Sequence, residues 1–247
     1  LAEIGNLILE EPLAEKMCQA MQLPISLTLD GKQIPGWMIS HHFAHAAYTY
    51  YTSDYDKAAI ITQDGSLPRG GYWNGMCYYG KERNLFPIMP HYLNIGRLYE
   101  GVSTLLGFGL EEGPGKMMGL APYGQPAFFD SRFIGNVKDM DAIVEDNLKG
   151  SFPCWQPHSF DACLNKWISH CASMAEKLGY DITQLGNTEK IMEPISVDLA
   201  ASTQLLLEEI LLSTVNNVYD IYKKYNIDAT ENLCLSGGTA LNCPANS

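Results

Sequence analysis

The segment that most restricts the fold is Lys57-Ala-Ala-Ile-Ile-Thr-Gln63, a short apolar run between turn residues that reads as a buried strand. It runs straight into Asp64-Gly65-Ser66. In α/β proteins, a carboxylate at the tip of a buried strand, followed by glycine, is a common place for metal or phosphate chemistry. The same letters also suit an ordinary Asp-Gly turn, with Gly71 to Gly80 as the returning strand. A comparable segment lies near the far end, where Asn232-Leu-Cys-Leu-Ser236 reads as a strand feeding Gly237-Gly238-Thr239-Ala240-Leu241-Asn242. Strand, two glycines and a helix start make a turn whose backbone N–H groups face a ligand. Small residues there let a flat nucleotide lie against the backbone, and a plain strand-to-helix turn is the alternative.

Three of the six histidines fall within Ser40-His41-His42-Phe43-Ala44-His45. Ser40 suits an N-cap, and a helix from His41 to about Tyr51 would stack His41 and His45 on one face. Two imidazoles one turn apart can chelate one transition metal. The helix N-terminus disfavours imidazolium there and keeps the rings neutral, as ligands must be. The zinc-protease pattern H-E-x-x-H fails, because His42 stands where its glutamate is needed. Histidines that simply pack or face water remain the alternative. The tyrosines that follow (Tyr48, Tyr50, Tyr51, Tyr55) read as packing.

Elsewhere, residues 1–22 carry apolar positions at helix-like spacing. Ile25 to Leu29 alternates into Asp30-Gly31, a hairpin signal with a partner strand from Gln33 to Ile39. Asn94 to Gly107 has helical period. Glu111-Glu-Gly-Pro-Gly-Lys116-Met-Met-Gly-Leu-Ala-Pro-Tyr-Gly124 has the composition of a surface loop. Its glycines allow close approach to a ligand and Lys116 offers a charge to phosphate, although the run is not a Walker A loop. Residues 125–190 read as a mostly helical insertion, with amphipathic pieces near Ile143 to Leu148 and Cys163 to Leu178. Ser196 is expected to cap a long helix from Val197 to about Tyr225, with Glu208 and Glu209 on a solvated face.

Composition excludes some functions. The formal charge is −12, with 16 Lys and Arg against 28 Asp and Glu, so the chain lacks the basic footprint of a nucleic-acid binder. Its seven scattered cysteines form no C-x-x-C pair, which reads as reduced thiols in a cytoplasmic protein. No apolar run approaches a membrane span. The absent initiator Met and the abrupt end at Ser247 suggest a fragment.

The order of these motifs carries a resemblance. His41-His42-Phe-Ala-His45-Ala-Ala, a strand ending Asp64-Gly65, Gly115-Lys116-Met-Met-Gly-Leu-Ala-Pro-Tyr-Gly124 and Leu235-Ser-Gly-Gly-Thr-Ala-Leu-Asn-Cys-Pro-Ala-Asn246 resemble the NodU/CmcH carbamoyltransferase family over about residues 36–247. The resemblance implies an α/β fold of the actin-like ATPase type (ASKHA, ribonuclease H-like), incomplete here. Residues 1–55 would end a first subdomain that includes the metal-binding helix. Residues 56–247 would form a second subdomain with the insertion at about 125–190. It implies transfer of a carbamoyl group from carbamoyl phosphate, through an ATP-derived carbamoyl-adenylate, to a hydroxyl of a small-molecule or sugar acceptor. The adenylate would be made in a C-terminal domain outside this chain.

By motif, His41, His45 and Asp64 are the implied metal ligands, with Asp64 also a catalytic candidate. Gly237, Gly238, Asn242 and Lys116 are implied contacts of the nucleotide or its phosphates. The metal would be iron, with manganese or zinc as alternatives. Thr62-Gln63-Asp64-Gly65-Ser66 departs from the family's usual Asp-Gly-x-Gly-Glu. A tRNA threonylcarbamoyl-type transferase and a non-catalytic actin-like nucleotide-binding module are the competing readings. Neither nucleic acid nor membrane is expected as a partner.

Overall fold

The computed structural model describes residues 22–65, 75–91, 95–109, 112–134, 160–228 and 230–247. The expected helical spacing of 1–21 and the amphipathic piece at Ile143 to Leu148 lie outside them. The fold is α/β and divides into two compact units. The first gathers Leu1–Gln63, Gly75–Pro90 and Thr230–Gly237, and the second Asp64–Asn74, His91–Ala229 and Gly238–Ser247.

In the first unit, β1 (Gln22–Leu29) and β2 (Lys32–Ile39) form an antiparallel hairpin with Leu29 opposite Lys32. Asp30 and Gly31 make its two-residue turn with φ of 49° and 75°, the doubly positive pairing that matches strand twist. Helix α1 (His41–Tyr51) starts where Ser40 turns extended and its hydroxyl accepts from the Phe43 amide at 3.1 Å. Strands β3 (Lys57–Gln63), β4 (Gly75–Lys81), β5 (Asn84–His91) and β6 (Leu233–Ser236) form one sheet in the order β5-β4-β3-β6. β3 runs antiparallel to β4 and parallel to β6. Every β3 residue after Lys57 is buried, as its lack of a polar face requires. β5, to which the sequence reading assigns no strand, is an edge strand among the described residues, the position that tolerates Pro87 and Pro90.

α1 packs on this sheet through Ala46 and Tyr50, which join Ala58, Ile60, Met76, Tyr78 and Cys234 in one core. Burial pushes the Tyr78 phenol far above its ordinary value. The Tyr50 hydroxyl donates to the carbonyls of Asp56 and Glu82, tying the helix to two turns of the sheet.

The second unit contains α2 (Ile95–Leu105), α3 (Gly113–Leu120), α4 (Phe160–Leu178) and α5 (Pro194–Lys224). Two expectations need correction here. The Gly/Pro-rich run expected as a loop is helical from Gly113 to Leu120 and continues as a 3-10 turn, Ala121–Tyr123. Pro114 sits in its first turn, where the missing N–H costs nothing, and the buried Met117 and Leu120 anchor it. Ser196 is not a cap: α5 begins at Pro194 after an extended Glu193, and Ser196 lies buried inside it.

The segment after α3 is fastened to α5 by backbone contact and by polar side chains. A Cβ at Gly124 would strike the Val197 carbonyl. Asp198 accepts from the Gln125 amide at 2.7 Å and from the Tyr180 hydroxyl at 2.5 Å, and that bond holds the Tyr180 phenol up at about 12. Phe128 N donates to Ser202 Oγ and Trp167 Nε1 to Thr203 Oγ1. Where described, the insertion is mostly helical as expected, with α4 followed by Gly179 at φ of 77° and with three short 3-10 turns between non-helical stretches.

Candidate functional site

Within the first unit, α1 sets the three histidines in two roles. His41 is exposed and His45 half-buried, and their rings meet edge to face with centroids 4.6 Å apart. That is the facing pair the i,i+4 spacing predicts. His42 points the other way and is fully buried, its Nδ1 3.2 Å from Thr62 Oγ1 on β3. Thr62 also donates to the Met76 carbonyl and accepts from the Met76 amide. His42 therefore fixes the rotation of α1 about its axis and holds the outward pair in place.

His45 Nδ1 lies 3.4 Å from Ser236 Oγ, the last residue of β6. Ser236 pairs in register with Thr62, one residue before the end of β3. Gly237 follows with φ of 93°, and a Cβ there would meet the Gln63 backbone. The imidazole pair, the tip of β3 and the first glycine of the turn therefore meet within one unit. Ser236 was missed by the sequence reading, although its position at the end of the predicted strand was visible. The donor set suits a divalent transition metal: two imidazoles face each other, and one has its Nδ1 engaged by a hydroxyl, which orients the ring.

In the second unit, Asp64 Oδ1 accepts from the Gly238 amide at 2.5 Å. Beside them opens a cavity of about 570 Å³. Gly65, Gly96 and Gly238 give it a wall of bare backbone, Met118 and Leu207 an apolar side, and Arg97 and Glu100 a charged pair 2.8 Å apart. A Cβ at Gly96 would meet Thr239 Oγ1 and the Gly65 Cα, so α2 can approach this closely only with glycine there.

Asn242 lines the cavity, but its carboxamide is engaged. Its Nδ2 donates to Gln204 Oε1, and its Oδ1 accepts from Gln204 Nε2 and the Ala245 amide. Gln204 also accepts from the Tyr99 hydroxyl at 2.7 Å and donates to Glu208, which is half-buried and not on a solvated face. Burial drives the Tyr99 phenol far up, so it serves this network as a donor. The helix expected after Gly238 is only a 3-10 turn, Gly238–Leu241. Lys116 is not among the lining residues, although its neighbour Gly115 is, and its ammonium pairs with Glu112 at 2.9 Å on the surface.

The family described as "Carbamoyltransferase N-terminus" matches residues 2–247. This chain belongs to the carbamoyltransferase family. Relatives of this carbamoyltransferase chain include an uncharacterised protein of Synechocystis, 30% identical over 87% of the chain and 32% of the relative. Nodulation protein NolNO of Sinorhizobium fredii is 26% identical over 84% of the chain and 26% of its own length. Nodulation protein NolO of Bradyrhizobium diazoefficiens is 24% identical over 84% of the chain and 32% of its own length. The carbamoyltransferase chain thus spans about a third or less of these relatives. No helix among its described residues is long and apolar enough to cross a membrane.

Proposed function

We propose that this chain is the transfer part of a metal-dependent O-carbamoyltransferase with an actin-like ATPase fold, residues 1–55 and 56–247 contributing to its two subdomains. Its substrates are carbamoyl phosphate, ATP and a hydroxyl-bearing small-molecule or sugar acceptor, and its setting is the cytoplasm. The adenylate donor comes from a further domain of the protein. The observation that carries this reading is the facing His41–His45 pair, oriented by Ser236 at the end of β6.

His41 and His45 would hold a divalent metal, iron by preference, with Asp64 as the third ligand. The support for Asp64 is covalent: it is bonded to Gln63, the end of the strand that runs beside β6. Bound there, the metal would supply Lewis acidity that lowers the pKa of an acceptor hydroxyl.

The remaining work falls to the chain's own groups. In transfer, the acceptor oxygen forms a bond to the carbamoyl carbon as the bond to the adenylate oxygen breaks. AMP leaves with that electron pair, and the hydroxyl proton passes to a carboxylate, for which Asp64 is the candidate. The second-unit cavity suits the nucleotide, with Gly238 at its bare-backbone wall and Met118 and Leu207 against the base. Gly237 permits the turn, and Asn242 fixes the segment after it. Lys116 would reach the phosphates by leaving Glu112, since solvent screens an exposed pair of this kind and holds it only weakly.

Elemental analysis of the purified protein beside His41→Ala and His45→Ala tests the centre. About one metal ion per wild-type chain, lost in both variants together with transfer from labelled carbamoyl phosphate, is expected. Equal metal content in all three proteins overturns the reading.

A further inference from the structure

Resting on that reading, we propose that Tyr48 is the platform on which the acceptor sits, its ring stacking against the C–H face of a hydroxyl-bearing sugar ring. On α1, positions 41, 45 and 48 fall within roughly 60° of one another at helical periodicity, so Tyr48 continues the stripe that carries the two imidazoles. Helical side chains lean toward the N-terminus, so Tyr48 is directed toward the end of the helix that carries His45.

The tyrosines of this helix divide sharply by use. Tyr50 is 1% exposed, with its hydroxyl on two carbonyls, and the Tyr51 hydroxyl donates to the Arg83 carbonyl. Tyr48 is 74% exposed and its hydroxyl has no hydrogen-bond partner among the described residues. A large exposed ring, about one turn along the same helix face from two metal-capable imidazoles, presents an apolar face and a polar tip, the combination that suits a polyhydroxylated ring. The chemistry of the other substrates narrows the choice. Carbamoyl phosphate has no ring to stack, and the nucleotide is assigned to the cavity of the second unit. The acceptor is the substrate that must bring a hydroxyl to the imidazole pair, so its ring is the one within reach of Tyr48.

The test compares wild type, Tyr48→Ala and Tyr48→Phe in the intact protein. The acceptor probe is whichever of glucosamine, N-acetylglucosamine and methyl glucoside the wild type carbamoylates. Saturation-transfer NMR reads which probe protons touch the protein, and steady-state kinetics separate acceptor KM, ATP KM and kcat. In Tyr48→Ala, saturation of the ring C–H protons should disappear and acceptor KM should rise about tenfold or more, as loss of one stacking contact implies. ATP KM and metal content should not change, and Tyr48→Phe should keep the ring contact.

Wild-type saturation and acceptor KM in Tyr48→Ala overturn the platform, as does a rise in ATP KM alone, which would put the base on the ring. Carbamoylation of none of the three probes overturns the choice of a sugar ring. Loss of metal from wild type, or no transfer by it to any acceptor, would instead remove the underlying reading and leaves a separate signature.

Discussion

At Gly237, backbone conformation and space give the same answer. The residue has φ of 93°, and the Gln63 backbone occupies the place of a Cβ. Gly237→Ala should therefore lower stability by about 2 kcal/mol or more, since the strained backbone and the collision add. Urea denaturation measures this, and a wild-type midpoint would show that the two segments do not approach so closely. The sequence placed two glycines at this turn, which suggested room for a ligand, but did not show that the first of them admits the Gln63 backbone. The same limit applies to the histidines. Their spacing predicted that His41 and His45 would face each other. It could not show that His42 would be buried against Thr62, because that depends on which side of α1 the sheet covers.

Elements were legible where local chemistry decides them. The β1–β2 hairpin follows from alternation into Asp30-Gly31, two residues that accept positive φ, and the start of α1 follows from Ser40. α3 was not legible, because its glycines and Pro114 carry a loop's propensity and only tertiary burial of Met117 and Leu120 overrides it. β5 escaped for a related reason: its prolines argue against a strand until its place at the sheet edge is known. For α1 the cap is a measurable quantity. Ser40→Ala removes the acceptor for the Phe43 amide and should cost about 1 kcal/mol in a denaturant titration, with Ser40→Thr retaining most of it. An unchanged midpoint in Ser40→Ala would mean that packing alone starts the helix.

Across the whole molecule, charge separates the carbamoyltransferase reading from a tRNA-modifying one. With a formal charge of −12, the chain should not retard tRNA in a gel at physiological salt, and a salt-sensitive shift at micromolar protein would favour the tRNA reading. The second unit is also organised at this scale, around one stretch of α5. Asp198, Ser202, Thr203 and Gln204 each bond a different distant partner: the Gln125 amide, the Phe128 amide, the Trp167 indole, and Tyr99 together with Asn242. These four side chains work as addresses. An oily rod of the same length would attract the same neighbours but would let them settle in several registers. Because the four groups answer different passages of chain, the docking order along α5 is written into less than two turns of helix.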